Sequence, residues 1–383
     1  MTEESRSEFE AGARPSRGDQ RTPVMILSGF LGSGKTSLLN SALADPQMSR
    51  TMVVINEFGE ISIDHELTAK SDDIITVLDN GCLCCTVFGD LVGLLQRLYH
   101  DREAGRIDAF DRIVIETSGL ANPVPVMQAF LSDPALAGLY RFEGLVVTVD
   151  AVNGASTFAR HVEAIQQVAV ADTIVVTKGD LVGGSGSDEW KHLLSAIRQI
   201  NPAGRISDRN ASDFDAATIL RHGSSDPTYG GRATLEWLNV EAHLSACGTE
   251  CDDPTHDHMP LPHHAHSANI STHCLVREKP SSREALNLLL TAIEQNLGPS
   301  LLRVKGIVGI EEQPEAPAVI QGAQHLLHNV AFLPSWPSED RRTRIVFIVQ
   351  NIPAQVLEEM VTLLDRVAVR TVAAKERGRT QSG

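Results

Sequence analysis

The chain is poor in basic side chains, in cysteine and in long apolar runs, and each shortage removes a class of function. It carries 33 lysines and arginines against 49 acidic residues, a formal charge of −16 at pH 7. A surface that neutralises phosphate backbones needs clustered positive charge, so nucleic acid is excluded as the main partner. No stretch approaches the run of about eighteen apolar residues that a transmembrane helix needs. The opening Met1-Thr2-Glu3-Glu4-Ser5-Arg6 lacks the basic-then-apolar pattern of a secretion signal. The expectation is a cytoplasmic protein with no membrane partner. Six cysteines in 383 residues are too few for a secreted disulfide framework, and three of them fall within 82–85. Such crowding points to metal binding or thiol chemistry.

With 383 residues and 42% hydrophobic content, the chain is long enough for two ordinary cores. Residues 1–22 are polar and aperiodic and read as a disordered tail. Over 23–220, apolar strand candidates alternate with helical patterns: Met52 to Ile55, Ile74 to Leu78, Arg112 to Ile115, Leu145 to Val149 and Thr173 to Val176. That alternation implies an α/β domain with a mainly parallel sheet. Its last segment is a helix from Trp190 to Ile200, with Asp188 as the expected cap. Residues 221–269 lose apolar periodicity and become rich in Gly, Ser and His, a flexible His/Cys-rich linker. A smaller α+β domain follows over 270–372, with residues 373–383 as a tail. Its helix is expected to open on the capping box Ser281-Ser282-Arg283-Glu284 and to bury Leu286, Leu289, Ile293 and Leu297. Strand-like runs Leu301 to Val308, Ala318 to Ile320 and Arg344 to Val349 come next, then a helix from Pro353 to Asp365.

The most specific motif is Gly29-Phe30-Leu31-Gly32-Ser33-Gly34-Lys35-Thr36, a match to G-x-x-x-x-G-K-[ST] set between an apolar run, Val24 to Leu27, and a helical one starting at Ser37. Gly29, Gly32, Ser33 and Gly34 let backbone N–H groups converge on phosphate oxygens, and the following helix N-terminus adds its positive end. Lys35 reaches the β/γ-phosphates and Thr36 offers its hydroxyl to Mg²⁺. Ile113-Val114-Ile115-Glu116 is an apolar strand ending in a carboxylate, placed to organise that Mg²⁺, and Gly119 is placed to give a backbone N–H to the γ-phosphate. Lys35, Thr36 and Glu116 are therefore the residues expected to carry the hydrolytic step. Thr177-Lys178-Gly179-Asp180 resembles the [NT]-K-x-D motif that reads guanine. Asp180 would accept from the base, and Lys178 would lay its stem over the base face.

Asp79-Asn80-Gly81-Cys82-Leu83-Cys84-Cys85 brings three thiols together. Thiolates suit Zn²⁺, and Co²⁺ tolerates the same tetrahedral geometry. The competing reading is buried, inert cysteines that pack like small hydrophobes. A looser group, Cys247, Cys251, His256, His258, His263, His264, His266, His273 and Cys274, is spaced irregularly and fits an auxiliary metal reservoir.

Together with Asn56-Glu57-Phe58-Gly59-Glu60 and Glu116-Thr117-Ser118-Gly119-Leu120-Ala121-Asn122-Pro123, these motifs resemble the CobW-type family of metal-handling P-loop GTPases. Arg277 to Pro280, Arg303-Val304-Lys305-Gly306, Gln321 to His325 and Thr343 to Phe347 resemble that family's C-terminal domain. The resemblance implies a P-loop NTPase domain followed by a smaller α+β domain, and a metallochaperone that converts GTP to GDP and phosphate. In such a protein GTP, Ser37 and the rest of the phosphate loop, and Mg²⁺ assemble a site at Cys82, Cys84 and Cys85 for Zn²⁺, which passes to a client protein. The alternatives are a cobalt chaperone for cobalamin synthesis or nitrile-hydratase-type activation, and a metal storage or sensing protein with a structural nucleotide.

Overall fold

The computed structural model describes residues 21–56, 75–77, 86–202, 204–221, 270–323, 326–327, 330–353 and 355–363. Cys82, Cys84, Cys85, His256, His258, His263, His264 and His266 lie outside the described residues, as do Glu57 to Glu60.

The first half is a seven-stranded parallel sheet. Its strands are β1 (Thr22–Gly29), β2 (Thr51–Asn56), β3 (Ile75–Val77), β4 (Arg112–Thr117), β5 (Tyr140–Asp150), β6 (Thr173–Thr177) and β7 (Arg205–Asp208), in the order β3-β2-β4-β1-β5-β6-β7. The helices are α1 (Lys35–Leu43), α2 (Thr86–Glu103), α3 (Val124–Ser132), α4 (Pro134–Leu139), α5 (Gly154–Arg160), α6 (Val162–Val170), α7 (Asp188–Ile200) and α8 (Ala216–Arg221). They cover both faces, which is why the central strands are continuously apolar: Val24 to Leu27 are all buried. On one face Leu38, Leu39 and Ala42 of α1 and Ala217 and Leu220 of α8 pack on Met25, Leu27, Val114, Val146 and Val175. On the other, Ile26, Ile115, Val147 and Val176 meet α3, α6 and α7.

Two features of this half differ from the sequence expectation. β7 and α8 extend the domain past Ile200; β7, Arg-Ile-Ser-Asp, is an edge strand whose single apolar residue carries almost no periodicity. Ser187, not Asp188, caps α7, because its Oγ accepts the Trp190 N–H at 3.1 Å. Asp188 instead sits in the first turn, where a negative charge favours the helix dipole.

The second half is an antiparallel sheet of β8 (Ile270–Arg277), β9 (Leu301–Ile310), β10 (Gln313–Ala323), β11 (Leu326–Leu327) and β13 (Thr343–Gln350), ordered β11-β10-β9-β13-β8, with β12 (Ala331–Phe332) paired to β10. Helix α9 (Arg283–Ala292), prolonged by a π turn to Leu297, buries Leu286, Leu289, Ile293 and Leu297 against Val304, Val308, Ile345 and Phe347, as their spacing predicts. The expected capping box is not formed as written. Ser282 is the cap, its Oγ accepting Ala285 N–H at 3.2 Å, while Ser281 bridges to Ile310. A helix over 355–363, α10, closes this core with Leu357 and Val361. Among the described residues no helix is long and apolar enough to cross a membrane.

The two sheets meet directly. Leu302 and Ile348 join the core of the first domain. Asp172, 2% exposed at its side chain, accepts from Arg303 Nη2 at 2.5 Å and Lys305 Nζ at 2.8 Å, both on β9, and from Leu145 N–H at 2.9 Å. Burial works against an ionised Asp172, yet the two cations and the Lys305 and Leu145 hydrogen bonds hold its carboxyl well below the usual range. The Lys305 pKa is lowered too, which for an amine disfavours the charged form. Burial, reinforced by the neighbouring Arg303 charge, brings its ammonium down to about 8 despite Asp172.

Candidate functional site

All strands of the first sheet are parallel, so the loops following β1, β4, β5, β6 and β7 emerge at one edge, where ligands of open α/β sheets bind. β1 delivers the phosphate loop to this edge between β4 and β5. Gly29 has φ +141°, and a Cβ there would lie 2.3 Å from Thr148 Oγ1 and 2.6 Å from Thr148 O. No other residue fits that crossing of β1 past β5. Ser33 is tied to the same threonine, Oγ to Oγ1 at 2.6 Å, and Thr177 donates its hydroxyl to Ser33 O at 2.7 Å. Neighbouring strands thus lock the loop from below. Lys35 Nζ curls back onto Gly29 O at 3.0 Å and Phe30 O at 3.4 Å, within the loop itself. Gly32 and Ser37 are exposed at the rim, and Gly34 immediately precedes α1.

The register of β1 with β4 sets Leu27 beside Glu116, which brings the Glu116 carboxylate to the start of α1. Thr36 Oγ1 donates to Glu116 Oε1 at 2.8 Å, with Glu116 3% exposed. A hydroxyl and a carboxylate in contact form the all-oxygen donor set that Mg²⁺ prefers, so these residues fit the ion that the phosphate loop calls for. Two residues beyond β4, Gly119 packs on the phosphate loop so closely that a Cβ would lie 2.7 Å from Leu31 N and 2.9 Å from Leu31 Cα.

The Thr177-Lys178-Gly179-Asp180 segment leaves β6. Thr177 is buried with its hydroxyl committed to the phosphate loop, so its part is to hold the two loops together. Lys178 adopts φ 58°, an uncommon conformation for a residue with a side chain, and is pinned there by Nζ contacts to Gly32 O at 2.8 Å and Asp150 Oδ2 at 2.7 Å. Burial disfavours the Asp150 carboxylate, but hydrogen bonds from Lys178, Asn153 and the Val152 N–H outweigh it and hold its pKa below the ordinary value. Asp180 stands exposed at the edge and accepts from Asn210 Nδ2 at 3.1 Å in the loop after β7. Gly179 packs on the Trp190 ring, where a Cβ would come within 2.8 Å.

Three residues here went unnoticed in the sequence. Asp150 ends the apolar run of β5 as Glu116 ends that of β4, a signal that was available. Gln167 is a polar residue on the apolar face of α6, a weaker sign. Asn210 carried none. Among the described residues no three His, Cys, Asp or Glu side chains converge as a metal site. His273 and Cys274 are successive residues of β8 and so point to opposite faces. His273 Nε2 pairs with Ser271 Oγ at 2.8 Å, and Cys274 packs against Ile307, Val319 and Leu333. Both belong to the C-terminal sheet.

Residues 23–208 match the CobW/HypB/UreG nucleotide-binding domain, and residues 270–363 match the cobalamin synthesis protein cobW C-terminal domain. The chain is 29% identical over 332 residues to the zinc chaperone YjiA of Escherichia coli (strain K12), covering 87% of this chain and 95% of that protein. It is 32% identical over 290 residues to zinc-regulated GTPase metalloprotein activator 1 of Schizosaccharomyces pombe, covering 72% and 66%. In three dimensions it is similar to the Zn(II)-bound YjiA GTPase from E. coli, with a TM-score of 0.64 at 25% identity over 90% of this chain and 99% of that one. With both of its domains matched in order, the chain belongs to the CobW family.

Proposed function

We propose that this protein is a GTP-hydrolysing metallochaperone that binds zinc in a GTP-dependent way and hands it to a client protein. The observation that carries the reading is the convergence, at one sheet edge, of the phosphate loop, the Thr36–Glu116 pair, Gly119 and the Thr177-Lys178-Gly179-Asp180 segment. The names of the relatives, zinc chaperones and a zinc-regulated GTPase metalloprotein activator, supply the cargo.

In this reading the loop N–H groups and the N-terminus of α1 cradle the phosphates, and Lys35 leaves its loop carbonyls for the β/γ-phosphate oxygens. Thr36 and Glu116 would hold Mg²⁺, which would supply charge neutralisation at the phosphates. Gly119 senses the third phosphate through its N–H. Asp180, oriented by Asn210, accepts from guanine, while Lys178, fixed by Gly32 and Asp150, offers its stem to the base face. Cys82, Cys84 and Cys85 take Zn²⁺ as cargo, with the histidines at 256, 258, 263, 264 and 266 as auxiliary ligands. Because linkage is reciprocal, a nucleotide that tightens zinc binding must itself be bound more tightly when zinc is present.

The test is phosphate release from GTP and ATP, with Mg²⁺, by the wild-type protein and Lys35→Ala. The reading expects GTP turnover that greatly exceeds ATP turnover and disappears in the variant. Equal use of both nucleotides, or turnover that survives K35A, would overturn it.

A further inference from the structure

Helix α6 touches three functional parts of the molecule. At its N-terminal end His161 packs on Phe30 of the phosphate loop, ring centroids 4.6 Å apart. In its middle, Gln167 is 1% exposed and donates through Nε2 to Gly119 O at 3.1 Å and Ala121 O at 3.0 Å. At its C-terminal end Val170 O accepts from Arg303 Nη1, and Asp172 takes Arg303 and Lys305 of β9. Asn201 Nδ2 closes the same helix end on Val168 O at 2.8 Å and Ala171 O at 2.9 Å.

The middle contact is unusual in its economy. One amide holds two carbonyls of the loop that follows β4, and its Oε1, buried, meets no hydrogen-bond donor among the described residues. A buried glutamine with its acceptor unmet is not there for packing, since an apolar residue of the same shape would avoid that cost. What the two bonds accomplish is orientation. A peptide N–H points away from its own C=O, so fixing Gly119 O and Ala121 O on the α6 side turns the N–H groups of Leu120 and Asn122 away from the helix. Ala121 N–H in turn donates to Ser118 O at 3.0 Å, which fixes the peptide that carries the Gly119 N–H. Gly119 has no slack toward the phosphate loop, because it already rests against Leu31 backbone. Any shift of this loop on arrival of a third phosphate must move Gln167 with it or break both of its hydrogen bonds.

We propose that Gln167 is a positioning residue for the nucleotide-sensing loop, and that α6 carries the position of that loop to β9, so that the C-terminal sheet responds to the third phosphate. This rests on the GTP reading above. The coupling runs through one helix with a contact at each end, so that a shift at one end biases the contacts at the other.

The experiment compares wild type with Gln167→Met, which keeps the length and bulk of the side chain and donates nothing. Affinities for GDP and for a non-hydrolysable GTP analogue are measured by calorimetric titration with Mg²⁺. Loss of two hydrogen bonds that matter only with the third phosphate lowers affinity for the analogue roughly tenfold or more and leaves GDP within about twofold. Equal weakening for both ligands is the mark of a purely structural role and overturns the proposal, as do two unchanged affinities. A wild type that binds neither ligand removes the GTP reading, and this inference with it. Should Q167M fail to fold, hydrogen exchange on the unmodified protein decides. Exchanging GDP for the analogue is expected to slow residues 163–172 and 301–305 together with 118–122. Slowing confined to 118–122 contradicts the role given to α6.

Discussion

Removing the carboxylate of Asp172 tests how the two domains are held together. Asp172 lies 131 and 133 residues from its cationic partners, and its side chain is 2% exposed, against 8% for Arg303 and 14% for Lys305. In Asp172→Ala two cations stay buried without a counter-charge, and the Leu145 N–H loses its acceptor. Breaking such a buried cluster from one side costs about 3–5 kcal/mol. For a domain of this size that lowers the thermal midpoint by on the order of 10 °C. Asp172→Asn keeps an acceptor for Leu145 and isolates the charge. The variant D172L/R303M/K305M, which neutralises all three positions, recovers most of the loss, since a well-packed apolar replacement of a buried ion cluster is often neutral or better. Urea unfolding of the four proteins gives the comparison. A D172A cost below about 1 kcal/mol would refute the argument, because that is the size of an exposed pair. pH gives a second handle. The folded pKa of Asp172 is depressed, so its stabilisation is present in full above the unfolded carboxylate value and is lost as pH falls through the folded one. The folded pKa of Lys305 is depressed as well, so its linkage to pH has the same sign at a higher range. Lys305 releases its proton near pH 8 when folded but at about 10.4 when unfolded. Between those values the unfolded chain holds more protons, so this group makes stability rise with pH, and K305M flattens that limb.

At the nucleotide edge, Gly119→Ala puts a methyl group against Leu31 backbone that cannot swing aside. An overpacking cost of about 1–3 kcal/mol weakens the GTP analogue roughly 5- to 150-fold in titration, while GDP, which does not need the loop in place, is held nearly as before. Asp180→Ala is expected to erase the preference for GTP over ATP in competition binding. Asn210→Ala, which only frees the Asp180 carboxylate, is expected to reduce that preference by a few-fold, the size of one exposed hydrogen bond. Unchanged discrimination in D180A would contradict the base-reading role. Replacing Cys82, Cys84 and Cys85 with Ser abolishes tight zinc binding in a chelator competition and leaves GTP affinity largely intact; deleting 247–268 lowers zinc stoichiometry more than peak affinity.

What could be read from the sequence was whatever is carried by contiguous residues. Gly29 to Thr36, the strand ending in Glu116 and the Thr177 to Asp180 segment each hold their chemistry in a few adjacent positions, and the fold needed only to bring the strands into parallel register. The apolar runs of β1, β4 and β6 showed themselves because helices cover both of their faces. β7 was missed because an edge strand of four residues with one apolar side chain has no period to detect. The caps slipped by one residue, at Ser187 and Ser282, since adjacent Ser and Asp residues satisfy the same rule and the backbone turn decides between them. Asp172 with Arg303 and Lys305, Gln167 with Gly119, and Lys178 with Asp150 are pairings made by tertiary structure alone. A single sequence holds no trace of which charge faces which across such distances.

The most direct measurement is a competition titration of Zn²⁺ and Co²⁺ into the full chain with Mg²⁺, in three states: GTP analogue, GDP and no nucleotide. The account predicts that zinc binding tightens strongly with the analogue alone, that zinc is preferred over cobalt, and that the tightening vanishes when Cys82, Cys84 and Cys85 are replaced. The same zinc affinity in all three states would contradict it.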